Sequence, residues 1–326
     1  MRRLARLGAA LALAFVAEGV EAQTAEKPLI AVLNPGPTGR DAIFALPGFY
    51  QGLRELGYEH GKNVVIDERH ADWKFERLPA LASELLQLRP SVIFTFTGQG
   101  VQAATRATSS IPIVIGASSD LVLRGFVASL SRPGGNVTGL TLINSELEPK
   151  RLELLRAVAP RTARVAVVVH PSNPNFVRYP GEFEAAAYRL GLKLHRVDVT
   201  TTAEFDAAFK SMAAKGIDGV LIANDAWLNA HARRIADLAM RYRLPTVSET
   251  QEFAQAGGLI GYGPDIREMF RRAAGYVDRV LKGARPGDLP IEQPDKFLLV
   301  LNQKTARALG ITLSQSVLAR ADQVIE

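Results

Sequence analysis

The chain contains no cysteine. That excludes disulfides, a thiolate nucleophile and thiolate metal centres, and it removes the lipid-attachment cysteine that would tether an exported protein to a membrane. Histidine is scarce. His60, His70, His170, His195 and His231 include no pair at the spacing that grips zinc on a helix, so no metal site is expected. A phosphate-binding loop is missing too, because Gly36-Pro37-Thr38-Gly39-Arg40 lacks the Lys-Ser/Thr ending, and there is no Gly-x-Ser-x-Gly nucleophile elbow. The pI of 9.6 invites a nucleic-acid reading, but no basic run exceeds two residues. Lys and Arg are instead dispersed beside acids, as in ERHADWKFERL, which describes a solvated surface without a nucleic-acid partner.

One segment has its own composition. Arg2, Arg3 and Arg6 precede the apolar run LGAALALAFVA, and Val20-Glu21-Ala22 offers small residues where a signal peptidase cuts. Residues 1–22 therefore read as a signal peptide, and its removal changes the net charge from +6 to +5 by deleting three arginines and two glutamates. No later stretch approaches the ~18 unbroken apolar residues of a membrane span. The expectation is a soluble periplasmic protein without a lipid anchor.

At 326 residues the chain is long enough for two domains. From residue 28, Val/Ile-rich runs alternate with amphipathic stretches: LIAVL, NVVID, SVIFTF, PIVIG, RVAVVV, LKLHRVDV, GVLIA and GLIGY are separated by patterns such as FALPGFYQGLRELG, FERLPALASELLQL and LNAHARRIADLAMRYR. Continuous apolar strands joined by helices predict doubly wound α/β architecture. The alternation breaks at SRPGGNVTGLTL (131–142), where a crossover helix was due; this is read as the chain leaving one sheet for a second. About four βα units then fall on each side, giving two lobes with a cleft between them. Capping boxes are expected at Ser145-Glu148, Thr201-Glu204 and Asp265-Glu268, and left-handed glycine caps at Gly57, Gly191, Gly216, Gly283 and Gly310.

Gly98-Gln99-Gly100-Val101-Gln102-Ala103 follows a strand, opens a helix and matches the dinucleotide fingerprint. It lies in the third βα unit instead of the first, however, and export separates it from cytosolic nicotinamide. A helix N-terminus that contacts a ligand through its free amides is the better account, and no cofactor is expected. Asp120, Asp225 and Asp265 each follow a strand end, which would serve paired-carboxylate chemistry but equally describes loops in any α/β protein.

What remains is a set of polar residues at the carboxyl ends of strands, where open α/β sheets bind ligands. They are Asn34; Thr97 and Gln99; Ser118, Ser119 and Asp120; Asn173 and Asn175; Asn224 and Asp225; and Tyr262 and Asp265. Each alone is explicable as a turn or cap residue, and Asp265 by its capping box. Together, divided between two lobes, they predict a binding cleft, with the Tyr262 ring at its mouth.

Three segments, SLSRPGGNVTGLT, the long LPTVSETQEFAQAGGLIGYGPDIREMFRRAAGYVDRVLKGARPGDLPIEQPDKFLLVLNQKTARALGIT and the closing VLARADQVIE, carry a family resemblance. The chain resembles the substrate-binding proteins of ABC transporters, in the branch typified by the tryptophan/tyrosine uptake component, on the type I periplasmic-binding fold. The resemblance implies two lobes, at 28–138 plus about 259–290 and at 139–258 plus about 291–326, closing as a monomer on a small organic solute that is delivered to the membrane permease. It implies no enzyme activity. Asn224-Asp225-Ala226 departs from the Pro-Thr-Asp-Asn type of stretch in the amino-acid-binding branch, so the solute stays open between an amino acid and another aromatic or carboxylated compound. The alternatives from the residues themselves are a secreted two-domain α/β enzyme, a glycosidase or dehydrogenase, and a ligand sensor for a membrane receptor.

Overall fold

The computed structural model describes residues 27–39, 44–142, 144–173 and 181–326; the expected signal peptide and Asn175 lie outside them. The first lobe is built from β1 (Leu29–Asn34), α1 (Leu46–Glu55), β2 (Val65–His70), α2 (Leu78–Gln87), β3 (Val92–Thr95), α3 (Thr97–Ala107), β4 (Ile113–Ser119) and β5 (Val137–Leu142). Its five strands are all parallel, in the order β2-β1-β3-β4-β5. Strands β3, β4 and β5 are buried along their whole length, as apolar runs covered on both faces must be.

The second lobe continues with α4 (Asn144–Val158), β6 (Arg164–Val169), α5 (Gly181–Arg189), β7 (Lys193–Asp198), α6 (Glu204–Ala214), β8 (Gly219–Ile222), α7 (Ala226–Ala230), α8 (Ala232–Arg241), β9 (Thr246–Ser248), α9 (Gln251–Gln255) and β10 (Ile260–Pro264). After α10 (Ile266–Leu281) come β11 (Phe297–Asn302), α11 (Gln303–Leu309), α12 (Gln315–Leu318) and β12 (Gln323–Ile325). The sheet order is β12-β11-β10-β9-β8-β6-β7, parallel except where β11 runs against β10. The molecule is thus two doubly wound α/β lobes of the type I periplasmic-binding kind.

The chain passes between the sheets after Leu142, after Pro264 and between Glu292 and Phe297. The stretch 131–142 is not itself the exit. Its strand β5 completes the first sheet beside β4, and the chain crosses only afterwards. Strands β5 and β10 likewise extend the sheets past residues 138 and 258, where the sequence placed the lobe limits. Two further differences are local. The predicted single helix over 228–243 is broken at His231 into α7 and α8. At the expected Thr201-Glu204 box, the Glu204 carboxylate bonds Thr201 and also accepts from the Thr200 amide and hydroxyl, both at 2.7 Å.

Helix α10 returns to the first lobe, where Met269, Phe270, Ala273, Tyr276 and Val277 join the core of Ile30, Phe49 and Phe94. It can do so because α1 presents glycine at the contact. A Cβ on Gly48 would stand 2.2 Å from the Arg267 carbonyl oxygen, and one on Gly52 would stand 2.3 Å from that of Arg271. Gly48→Ala is therefore expected to force the two helices apart and lower unfolding free energy by about 1–3 kcal/mol. Urea denaturation checks this; an unchanged midpoint would show that the contact yields easily.

Candidate functional site

The carboxyl ends of the strands from both lobes meet at one cavity of about 270 Å³. This is the small end of the ligand-pocket range of ~300–1,000 Å³, so the guest is a small molecule. Contacts across the cleft hold the lobes together. Gln99 donates to the Ser172 carbonyl (3.1 Å), the Phe75 and His170 rings meet edge to face at 5.7 Å, and Trp73 packs on the cores of both lobes.

The first lobe supplies an apolar wall of Phe44, Phe96, Leu142, Ile266 and Phe270. Beside it, Ser118 and Ser119 end β4, and Thr97, Gly98 and Gln99 open α3. Thr97 has φ +62°, a left-handed conformation costly for a β-branched residue and kept here at the cavity's edge. Its hydroxyl accepts from the Gly100 amide at 3.3 Å. Gly100 itself is required by packing: a Cβ there would lie 2.5 Å from the Thr95 hydroxyl. The Gly-x-Gly pattern therefore seats a helix N-terminus tightly on its strand, with Thr97, Gly98 and Gln99 lining the cavity.

The second lobe supplies polar groups: Asn173, Asn224, Asp225, Asn229, Glu249 and Glu252. Asp225 is buried and caps α7, accepting from the Trp227 (2.9 Å) and Leu228 (3.1 Å) amides and from the Asn173 amide group (2.8 Å). Burial raises its carboxyl above the ordinary value, against the pull of those hydrogen bonds and of His170. Glu249 accepts from Asn229 at 2.8 Å. Burial pushes it up to about 7, opposed by Arg151 and Asn229 and reinforced by the neighbouring Glu148 and Asp225. Behind Glu249 lies Arg151, which is 0% exposed. Its guanidinium stands 2.9 Å from Glu148 and 3.9 Å from Glu249, and its Nε donates to the Tyr262 carbonyl (2.9 Å). No lysine or arginine is among the described residues that line the cavity.

Of the residues singled out from the sequence, the structure brings Thr97, Gln99, Ser118, Ser119, Asn173, Asn224 and Asp225 to the cavity. Others are drawn elsewhere by local structure. Asn34 is fully buried and turns the chain by accepting from the Gly36 amide at 2.8 Å. Asp120 adopts φ +57° beside Arg124, outside the lining. Tyr262 corrects the expectation of a ring at the cleft mouth: β10 is an interior strand of the second sheet, so the ring packs on that lobe's core and against Phe297, 6.5 Å away. Asp265 caps α10 through the Glu268 amide (2.9 Å).

Sequence reasoning missed the aromatic wall, Asn229, Glu249 and Glu252. Phe270 lies on the apolar face of a helix and reads as core. Glu249 follows a strand of three residues, too short to register as one, although Ser248-Glu249-Thr250 after apolar residues carried the same polar signal as the other strand ends.

Two α/β lobes shutting on a small cavity at their strand ends define a solute receptor of the periplasmic-binding type. More particularly, the chain belongs to the ABC transporter substrate binding protein family, whose model matches residues 36–325. Such proteins bind small solutes and work with ABC permeases. A curated relative, the tyrosine-binding protein of Clostridioides difficile strain R20291, is 27% identical over 267 residues, covering 82% of this chain and 76% of that one. Among solved structures, a domain from Streptococcus pneumonia in complex with L-Trp aligns with a TM-score of 0.83 at 25% identity, covering 92% of this chain and all of that one. A conserved domain protein from Vibrio cholerae aligns at 0.84 with 27% identity and the same coverage.

Proposed function

We propose that this solute receptor works in the periplasm, as a monomer released by cleavage of residues 1–22, and that its solute is an α-amino acid with an aromatic or comparably large apolar side chain. The observation that carries this reading is the cavity's division into two unlike halves. Phe44, Phe96 and Phe270 offer flat apolar surface for a ring, while the acids and amides of the second lobe suit a group rich in N–H donors. Ser118 and Ser119, with the α3 amides, are donors for a carboxylate without a lysine or arginine. Tyrosine and tryptophan, named for two of the relatives, combine these groups. Contacts from both lobes exist together only when the cleft is shut, so the solute shifts the population toward the closed form, which the permease receives. The solute leaves unaltered; neither catalysis nor nucleic-acid binding has a part in this reading.

Thermal-shift and calorimetric titration with L-tyrosine, L-tryptophan and L-phenylalanine test it. At a hundredfold excess over Kd, one of them is expected to add about 2.7 kcal/mol of stability, while benzoate and pentoses add little. A stronger response to a solute without an ammonium group would overturn the assignment.

A further inference from the structure

We infer that Glu249, with Asn229 as its co-acceptor, and not Asp225, recognises the positive charge of the solute. The inference rests on reading the solute as an amino acid, and it names the residue that makes the receptor prefer one.

Asp225 has the expected position, directly after β8, but its carboxylate is already engaged. One oxygen takes two amides from the first turn of α7, and the other takes the Asn173 amide group. These N–H groups fill most of the acceptor positions of a carboxylate and balance its charge locally. Glu249 is placed differently. Oε1 is held by Asn229, which fixes the side chain, and Oε2 is buried without a hydrogen-bond partner, 3.9 Å from the Arg151 guanidinium. The side-chain oxygen of Asn229, Oδ1, is likewise buried and unpartnered. One hydrogen-bonded pair in the cavity wall therefore carries two orphan acceptors, a costly arrangement unless a guest supplies donors. An ammonium group brings three N–H donors and a charge.

The surrounding charge points the same way. From α4, Arg151 and Glu148 face Glu249, and Arg151 lies nearer to Glu148 (2.9 Å) than to Glu249 (3.9 Å). Asp225 faces it from the turn before α7, and Glu252 joins the cavity from α9. One guanidinium thus serves a cluster with an excess of carboxylates, and the missing positive charge belongs at the cavity. Across the cleft, the Ser118 hydroxyl is also buried without a partner and can donate to the other end of a zwitterion.

Because burial holds Glu249 near neutrality as a proton acceptor, an arriving ammonium ion restores its carboxylate and the proton leaves for solvent; the ammonium keeps its own. Titrating L-phenylalanine, L-tyrosine and L-tryptophan at pH 7 in phosphate and in Tris, whose ionisation heats differ, is expected to report release of roughly half a proton on binding. Affinity should weaken as pH falls below 7, approaching about tenfold per unit. Glu249→Gln keeps the side chain's shape and should cost roughly 10- to 150-fold in amino-acid affinity, the range of a hydrogen bond to a charged group. It should also abolish proton release and erase the preference for L-phenylalanine over 3-phenylpropanoate. Amino-acid binding by the unsubstituted protein with no proton release, or with the preference intact in Glu249→Gln, overturns the inference and leaves the proposed function standing. No binding of any amino acid by the unsubstituted protein removes both. Absence of proton release needs no variant, so it can overturn the inference even if Glu249→Gln fails to fold.

Discussion

Replacing Arg151 with methionine is expected to destabilise the protein by about 3–5 kcal/mol, the cost of stranding buried carboxylates without their cation. Arg151 is wholly buried on α4, Glu148 is on the same helix, and Glu249 approaches from the end of β9. Its Nε also ties the helix to the Tyr262 carbonyl on β10, two residues before that chain segment crosses to the first lobe. Methionine preserves much of the apolar stem but removes the charge, so Glu148 and Glu249 would have to be protonated to stay buried. Two consequences separate this account from simple loss of packing. The deficit should shrink as pH is lowered from 7.5 to 5, because burial already raises both carboxyls. Adding Glu148→Gln and Glu249→Gln to Arg151→Met should recover much of the loss, as neutral groups of similar shape need no cation. Urea midpoints at two pH values measure both; a deficit independent of pH would place the cost in packing.

The same cluster explains which features were legible in the sequence. The βα alternation was, because apolar strands buried on both faces and amphipathic helices leave strong local periodicities. So were strand-end residues such as Ser118, Asn224 and Asp225, since in a parallel sheet every carboxyl end points the same way. Tyr262 looked like another strand end but was absorbed by the core, because antiparallel β11 covers β10, and that pairing depends on a partner more than thirty residues away. The apolar wall depends on α10 crossing back to the first lobe, a placement set by Gly48 and Gly52 on a helix over two hundred residues earlier. Glu249 was hidden by a strand of only three residues and by an arginine that is distant in sequence. Local periodicity cannot encode either relation.

Lowering the pH from 7.5 toward 5 is expected to stabilise the unliganded protein, the reverse of ordinary acid denaturation. Glu249 has a folded-state pKa of about 7 against 4.5 when exposed, because burial penalises its charge. Between those values the folded chain holds a proton that the unfolded chain has released, so unfolding free energy falls as pH rises, by up to about 1.4 kcal/mol per unit. Across the window Glu249 alone accounts for about 2.4 kcal/mol. Glu148 and Asp225 are raised for the same reason and act in the same direction. Glu55, Glu204 and Glu268 are lowered by hydrogen bonds, so their opposing effect falls below the ordinary carboxylate value, outside this window. Denaturation between pH 5 and 7.5 should show the slope, and Glu249→Gln should reduce it by removing one of its contributors. A wild-type profile that is flat, or one matched by the variant, would mean that Glu249 stays charged in the folded protein. Its carboxylate would then be balanced by Arg151 at 3.9 Å, with no surplus charge left for a guest to neutralise.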